Sequence, residues 1–301
     1  MKILLITLLV LWHEVGHSYS IKNHEYISTL SIELLEYCGI TTALDGKTIV
    51  DFSGREDSSP HHASLITRLT NWHFYTNQKK EDDWIFSAFL RRDFWKRWNF
   101  LMDEIENNKL QKNEFSALTG AIAHYIQDVS NPSHVIPVYH GPGLKDEFDS
   151  YPILADKIRS TFSENCSSLE TNPQNIFEIL EQTAKNSLNA IEEKTLVFLK
   201  DGKQHESSFK EAFWYRAADD DNFFGKYGSL GNNYGKSEFS FPIWRRNQKV
   251  GPKKTIKRKS YDYKINAEVF KEFSQQQQTK AVLSTAKMIL IMNEVYNNKN
   301  D

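Results

Sequence analysis

At 301 residues, with 40% hydrophobic and 25% charged side chains, the chain is long enough to bury a real core as one large domain or two small ones, and its composition reads as soluble and globular. Its 37 basic and 39 acidic residues give a formal charge of -2, which excludes an overall pull toward nucleic acid or anionic lipid and makes any such preference local. Two cysteines, Cys38 and Cys166, allow at most one bridge in an oxidising compartment, or two buried free thiols.

The first segment poses a choice. "WHEVGHSYS", residues 12–20, contains His13-Glu14-Val15-Gly16-His17, the HExxH pattern in which two histidines hold a metal and the glutamate activates water. Only twelve residues precede it, too few to support a protease helix. Those twelve carry one lysine and the apolar run Ile3 to Trp12, followed by small polar residues with Gly16 and Ser18 spaced as at a signal peptidase site. The run is shorter than the roughly 18 apolar residues a membrane-spanning helix needs. Residues 1–18 are therefore predicted to be a signal peptide, with an uncleaved anchor or a protease helix as the competing readings. Residues 19–301 would form the mature domain, secreted or periplasmic.

Helical periodicity runs through the remainder. Tyr26 to Tyr37 places Ile27, Leu30, Leu34 and Leu35 on one face, and Trp84 to Ile105 does the same with Ile85, Phe86, Phe89, Leu90, Phe94, Trp98 and Leu101. Phe115 to Asp128 is apolar nearly all round, which predicts a central helix ended by Asn131-Pro132. Ile176 to Leu199 and Val269 to Tyr296 are two further helices. No alternating strand pattern stands out, so the predicted fold class is all-α, a single multi-helix domain. Residues 217–261 are an irregular insert, rich first in glycine, asparagine and aromatics and then running "WRRNQKVGPKKTIKRKS", with eight basic residues and no acid. That run reads as a solvated loop or as a cationic lip facing phosphate groups on a membrane or nucleic acid.

Chemistry concentrates in "AHYIQDVSNPSHVIPVYH", which holds His124, Asp128, His134 and His140. Residues four apart on a helix share a face, so His124 and Asp128 can grip one cation, and the proline break turns His134 back toward the helix end. A histidine beside an aspartate is more often an ordinary ion pair. Placement on the most apolar helix favours a ligand role, because two ionisable groups buried without coordination would be costly. His61, His62 and His205 stand in polar contexts and carry no special assignment.

"ALTGAIAHYIQDVSNPSH" resembles the zinc-binding helix of the bacterial zinc-dependent phospholipases C, whose superfamily includes fungal single-strand-specific nucleases. Further motifs follow in family order: "IKNHEYISTLSIELL" resembles the first helix with its histidine ligand, here His24. "GREDSSP" and "NWHFYTN" resemble the acidic turn and the HFY segment, placing ligands at Asp57 and His73. "KDEFDSY" resembles the segment that ends in a carboxylate ligand, here Asp149. The family also binds zinc through its released N-terminal amine, which would fall on Tyr19 after cleavage behind Ser18; a cut after Leu11, freeing Trp12, is the competing alignment. Where the family has a histidine four residues before the carboxylate, this chain has Lys145, and His140 is the nearby imidazole that can replace it.

The resemblance implies the phospholipase C and nuclease type of helical fold and three zinc ions. One would sit on Asp57, His73, His124 and Asp128, another on His134, Asp149 and His140, and a third on the Tyr19 terminus and His24, with Asp128 bridging two. It implies phosphodiester hydrolysis by metal-activated hydroxide, with Asp57 binding zinc or orienting the water. The implied substrate is phospholipid at a membrane surface, cut on the glycerol side of the phosphodiester. Nucleic acid, cut by a single-strand nuclease or 3'-nucleotidase, is the alternative, and a catalytically impaired zinc-containing binding protein is a third reading. No stable protein partner is implied.

Overall fold

The computed structural model describes residues 21–58, 75, 85–135, 148, 151–169, 175–192, 196–200, 203–207, 255–258, 261–265 and 267–300. The predicted signal peptide, Tyr19, His73, His140, Lys145, Asp149 and most of the 217–261 insert lie outside these residues. Among the described residues the chain is predominantly helical, in agreement with the all-α expectation. The helices are α1 (Ile21–Tyr37), α2 (Gly46–Ser58), α3 (Ile85–Asn107), α4 (Lys112–Ser130), α5 (Pro132–Val135), α6 (Ala155–Arg159), α7 (Phe162–Leu169), α8 (Ile176–Glu192) and α9 (Ala267–Asn300). No helix among them is long and apolar enough to cross a membrane.

α4 is the central element, packed against α1, α2, α3, α8 and α9. Its sequence requires this: from Thr119 to Ser130 every residue is buried, so apolar and polar side chains alike must find partners on neighbouring helices. α1 contributes Ile27, Leu30 and Leu34 to the core, all buried and each worth roughly 1.5–3 kcal/mol. On the α3 side, Phe94 stands edge-on to Tyr125, with Trp98 and Tyr75 completing an aromatic cluster. α4 starts at a capping box in which Gln111 N–H donates to the Glu114 side chain at 2.9 Å.

α2 approaches α4 unusually closely, and Gly120 is the reason. A methyl group there would lie 2.5 Å from Ile49 O and 2.8 Å from Phe52 Cβ, contacts that only displacement of α2 can relieve. Gly120→Ala is expected to lower stability by roughly 1–3 kcal/mol, read as a shift in urea midpoint at unchanged slope.

Cys38, just past the end of α1, is bonded to Cys166 in α7, a pairing that residue spacing alone could not decide. A link closing so long a loop is worth about 4–5 kcal/mol in the chain-entropy account.

One correction concerns the expected helix Ile176 to Leu199. α8 ends at Glu192, and Leu196–Lys200 is instead strand β1. It belongs to a small antiparallel sheet with β2 (Lys203–Ser207), β3 (Thr255–Arg258) and β4 (Tyr261–Ile265), in the order β2-β1-β4-β3, so the described end of the insert expected to be irregular is a β-hairpin in which Arg258 pairs with Tyr261. Leu196-Val197-Phe198-Leu199 is a continuous apolar run, which periodicity cannot assign to strand or helix. Pairing with β2 makes it a strand: Leu196 sits opposite Ser207 and Lys200 opposite Lys203.

Candidate metal centre

Five ionisable side chains from four elements converge at the C-terminal end of α4. His24 comes from the first turns of α1, Asp57 from the last turn of α2, His124 and Asp128 from α4, and His134 from α5. The segment expected as an acidic turn is thus the helical end of α2. The return of His134 is built by Asn131-Pro132. Asn131 Oδ1 accepts from the backbone N–H and hydroxyl of Ser133, and Pro132, which has no N–H to lose, opens the short helix.

The geometry centres on Asp128. Its Oδ2 lies 3.2 Å from His124 Nε2, while Oδ1 lies 3.5 Å from His24 Nε2 and 3.6 Å from His134 Nδ1. Asp57 faces the same point from α2, with its oxygens 3.7 Å from His24 Nε2 and 3.8 Å from His124 Nε2. The two imidazoles stack with centroids 4.1 Å apart. One ligand atom each from His24, His124 and Asp128 falls within 4.8 Å of the others, and all three residues are fully buried. This group can hold a metal ion.

The histidines are set up as ligands. His124 Nδ1 lies 3.0 Å from the Ser53 carbonyl, and His24 Nδ1 lies 2.6 Å from Gln127 Oε1. Both partners are acceptors only, so each Nδ1 carries a proton and Nε2 is the ring atom left facing the carboxylates, free to bind a cation once it carries no proton. Neutral imidazole nitrogen with carboxylate oxygen is the donor set that zinc takes. Neither Gln127 nor the Ser53 carbonyl was expected from the sequence; a carbonyl leaves no trace in residue type, and Gln127 carries no assignment although it lies between His124 and Asp128.

Without a metal the charges arrange themselves differently. Burial, reinforced by the charge of His124, pushes His24 down to about 3. Burial also disfavours a charged His124, but the Asp128 and Asp57 carboxylates outweigh it and push His124 up to about 10. Burial opposes ionised Asp128 too, yet the imidazoles of His124 and His134 hold its carboxyl well below the usual carboxylate range. At neutral pH, His24 is therefore already neutral and His124 must lose a proton before Nε2 can bind a cation. The sign follows: apparent affinity for a divalent cation is expected to rise with pH, about tenfold per unit between pH 6.5 and 8. Calorimetry in buffers of different ionisation enthalpy should show about one proton released at this position; a pH-independent affinity would contradict the charge assignment.

For the other expected ligands, only neighbours are described. Tyr75, two residues beyond His73, donates its backbone N–H to His134 O at 3.0 Å. Phe148, next to Asp149, packs on Phe270 and Phe273. Tyr151 O accepts from Asn23 Nδ2, beside His24. His73, Asp149, His140 and Tyr19 themselves lie outside the described residues.

Fold and site together define a helical protein with a buried histidine and aspartate group able to bind a metal ion. No family model matches the chain, and neither does any curated protein or solved structure.

Proposed function

We propose that the protein is a zinc-dependent phosphodiester hydrolase of the phospholipase C type, acting outside the cytoplasm on phospholipid. The observation that carries this reading is the convergence of His24, Asp57, His124, Asp128 and His134, residues up to 110 positions apart, on one buried point. Their order and types follow the family resemblance of the sequence motifs.

The chemistry zinc would supply when bound is Lewis acidity toward phosphoryl oxygens and a lowered pKa for water, as phosphodiester cleavage requires. His24, His124 and Asp128 would hold the metal, with His134 beside Asp128. Of the five, Asp57 is the least completely buried, at 5% exposure against 0% for the others. A carboxylate so placed can accept the proton of an attacking water or orient it toward phosphorus. The surrounding burial excludes bulk water and strengthens every charge interaction inside.

Two features support the substrate and compartment. The basic run within 244–260 offers cations to a phosphate-bearing surface. The Cys38–Cys166 bond suits an oxidising compartment, as does the signal-like leader.

The test assays phosphatidylcholine vesicles and single-stranded DNA side by side, with and without a chelator. The reading expects diacylglycerol release that the chelator abolishes and zinc restores. Chelator-sensitive DNA cleavage alone would assign the nuclease function instead. Activity on neither substrate would leave a zinc-containing binding protein.

A further inference from the structure

The two histidines whose Nε2 atoms face Asp128 are held by different kinds of atom. His124 rests on the Ser53 carbonyl, a backbone group that no substitution removes. His24 rests on a side chain, the Gln127 carboxamide, which is fully buried and reaches across from α4 to α1. The far end of that carboxamide is fixed as well, since Gln127 Nε2 donates to Ser28 Oγ at 2.8 Å, one helical turn beyond His24.

We propose that Gln127 is a positioning residue that commits His24 to the tautomer able to bind zinc. The inference rests on the reading that the centre holds zinc. With Oε1 against Nδ1, the proton resides on Nδ1 and Nε2 is a lone-pair donor. A reversed carboxamide would present N–H groups to Nδ1, force the proton onto Nε2, and aim that N–H at Asp57 Oδ2 and Asp128 Oδ1, 3.7 and 3.5 Å away. That arrangement satisfies the carboxylates and blocks the cation. The hydrogen bond to Ser28 holds the plane of the carboxamide, and α1 and α4 bring its two ends into register: His24 and Ser28 are four apart on one helix face.

The choice of carboxamide over carboxylate also has a consequence. A glutamate here would accept the same proton more strongly and make His24 a better donor, but it would add a third negative charge to a pocket that already holds Asp57 and Asp128. Glutamine thus orients without adding charge, at some expense in metal affinity.

The test titrates zinc(II) into metal-free wild type, Gln127→Leu and Gln127→Glu against a chromophoric chelator. Melting curves confirm that each variant is folded, and nitrogen-detected NMR of the zinc-loaded proteins reads the His24 ring tautomer. Gln127→Leu is expected to bind one zinc equivalent about 10–100-fold more weakly, leaving other equivalents unchanged, and to lose the single Nδ1–H form of His24. Gln127→Glu is expected to restore binding to the wild-type level or beyond. If Gln127→Leu fails to fold, Ser28→Ala takes its place, with a severalfold loss expected at the same equivalent. Binding within about twofold of wild type in Gln127→Leu, or in Ser28→Ala where that stands in, would overturn the inference and leave the zinc reading intact; so would a loss that Gln127→Glu does not rescue. A wild type that binds no zinc would sink the zinc reading itself, and this inference with it.

Discussion

Asp128→Asn is expected to strip zinc from more than one position in a single substitution. Its two oxygens face different partners, Oδ2 toward His124 and Oδ1 toward His24 and His134, so under the proposed function the carboxylate would be shared between ions. Asparagine keeps the shape, replaces one oxygen with an N–H donor and removes the charge that balances a divalent cation. Losing an outer partner of a metal ligand typically costs 10–100-fold in affinity, and losing a shared inner ligand should exceed that. Asp128→Glu should fail for another reason: an added methylene of about 1.5 Å drives the carboxylate into a space already lined by three imidazoles. Zinc content by mass spectrometry and chelator-sensitive hydrolysis should fall together in both variants. Wild-type zinc content in Asp128→Asn would remove this residue from the centre.

Arg97→Met should be the most damaging substitution that touches no expected ligand. Arg97 of α3 forms a two-pronged bond to Glu56, with Nη2 2.6 Å from Oε1 and Nε 3.1 Å from Oε2. The Glu56 side chain is only 3% exposed and directly precedes Asp57 in α2. Methionine leaves that carboxylate buried without its guanidinium, a loss worth about 3–5 kcal/mol. The companion Glu56→Gln should recover most of it, because removing both charges of a buried pair is far cheaper than removing one. Urea unfolding of the two single variants and the double variant measures the cycle. Additive costs would show that the pair is not coupled.

The damage should reach the centre as well. α2 carries Glu56, Asp57 and the Ser53 carbonyl within one turn and a half, so movement of this helix displaces a carboxylate and the acceptor behind His124 together. Gly120→Ala acts on the same helix nearer its N-terminal end, at Ile49, Phe52 and Ser53. It should weaken zinc binding along with stability.

How much of this could be read beforehand differs by residue. The pair His124 and Asp128 was legible from helical spacing alone, and the return of His134 from the Asn131-Pro132 break. His24 and Asp57 could be singled out only through resemblance, since a histidine near a helix start and an aspartate in a polar run carry no signal of their own. Gln127 and Ser53 escaped because outer partners are defined by direction in space, and a helix periodicity cannot say which neighbour a buried amide meets. The Arg97–Glu56 pair escaped likewise: both lie in charged stretches that suggest a solvated face, and only the packing of α2 and α3 on α4 brings them together. The main helices were visible in the apolar spacing, whereas the small sheet was hidden by a run of four apolar residues that suits either element.

The bond between Cys38 and Cys166 has a topological consequence. It encloses residues 39–165, and with them Asp57, His124, Asp128 and His134, in one covalent ring. A protease that cuts this ring once opens it without releasing a fragment, so the nicked molecule would migrate as a single species until a thiol reductant separates it into two. Cleavage between His24 and Cys38, by contrast, severs the covalent connection of His24 to the ring.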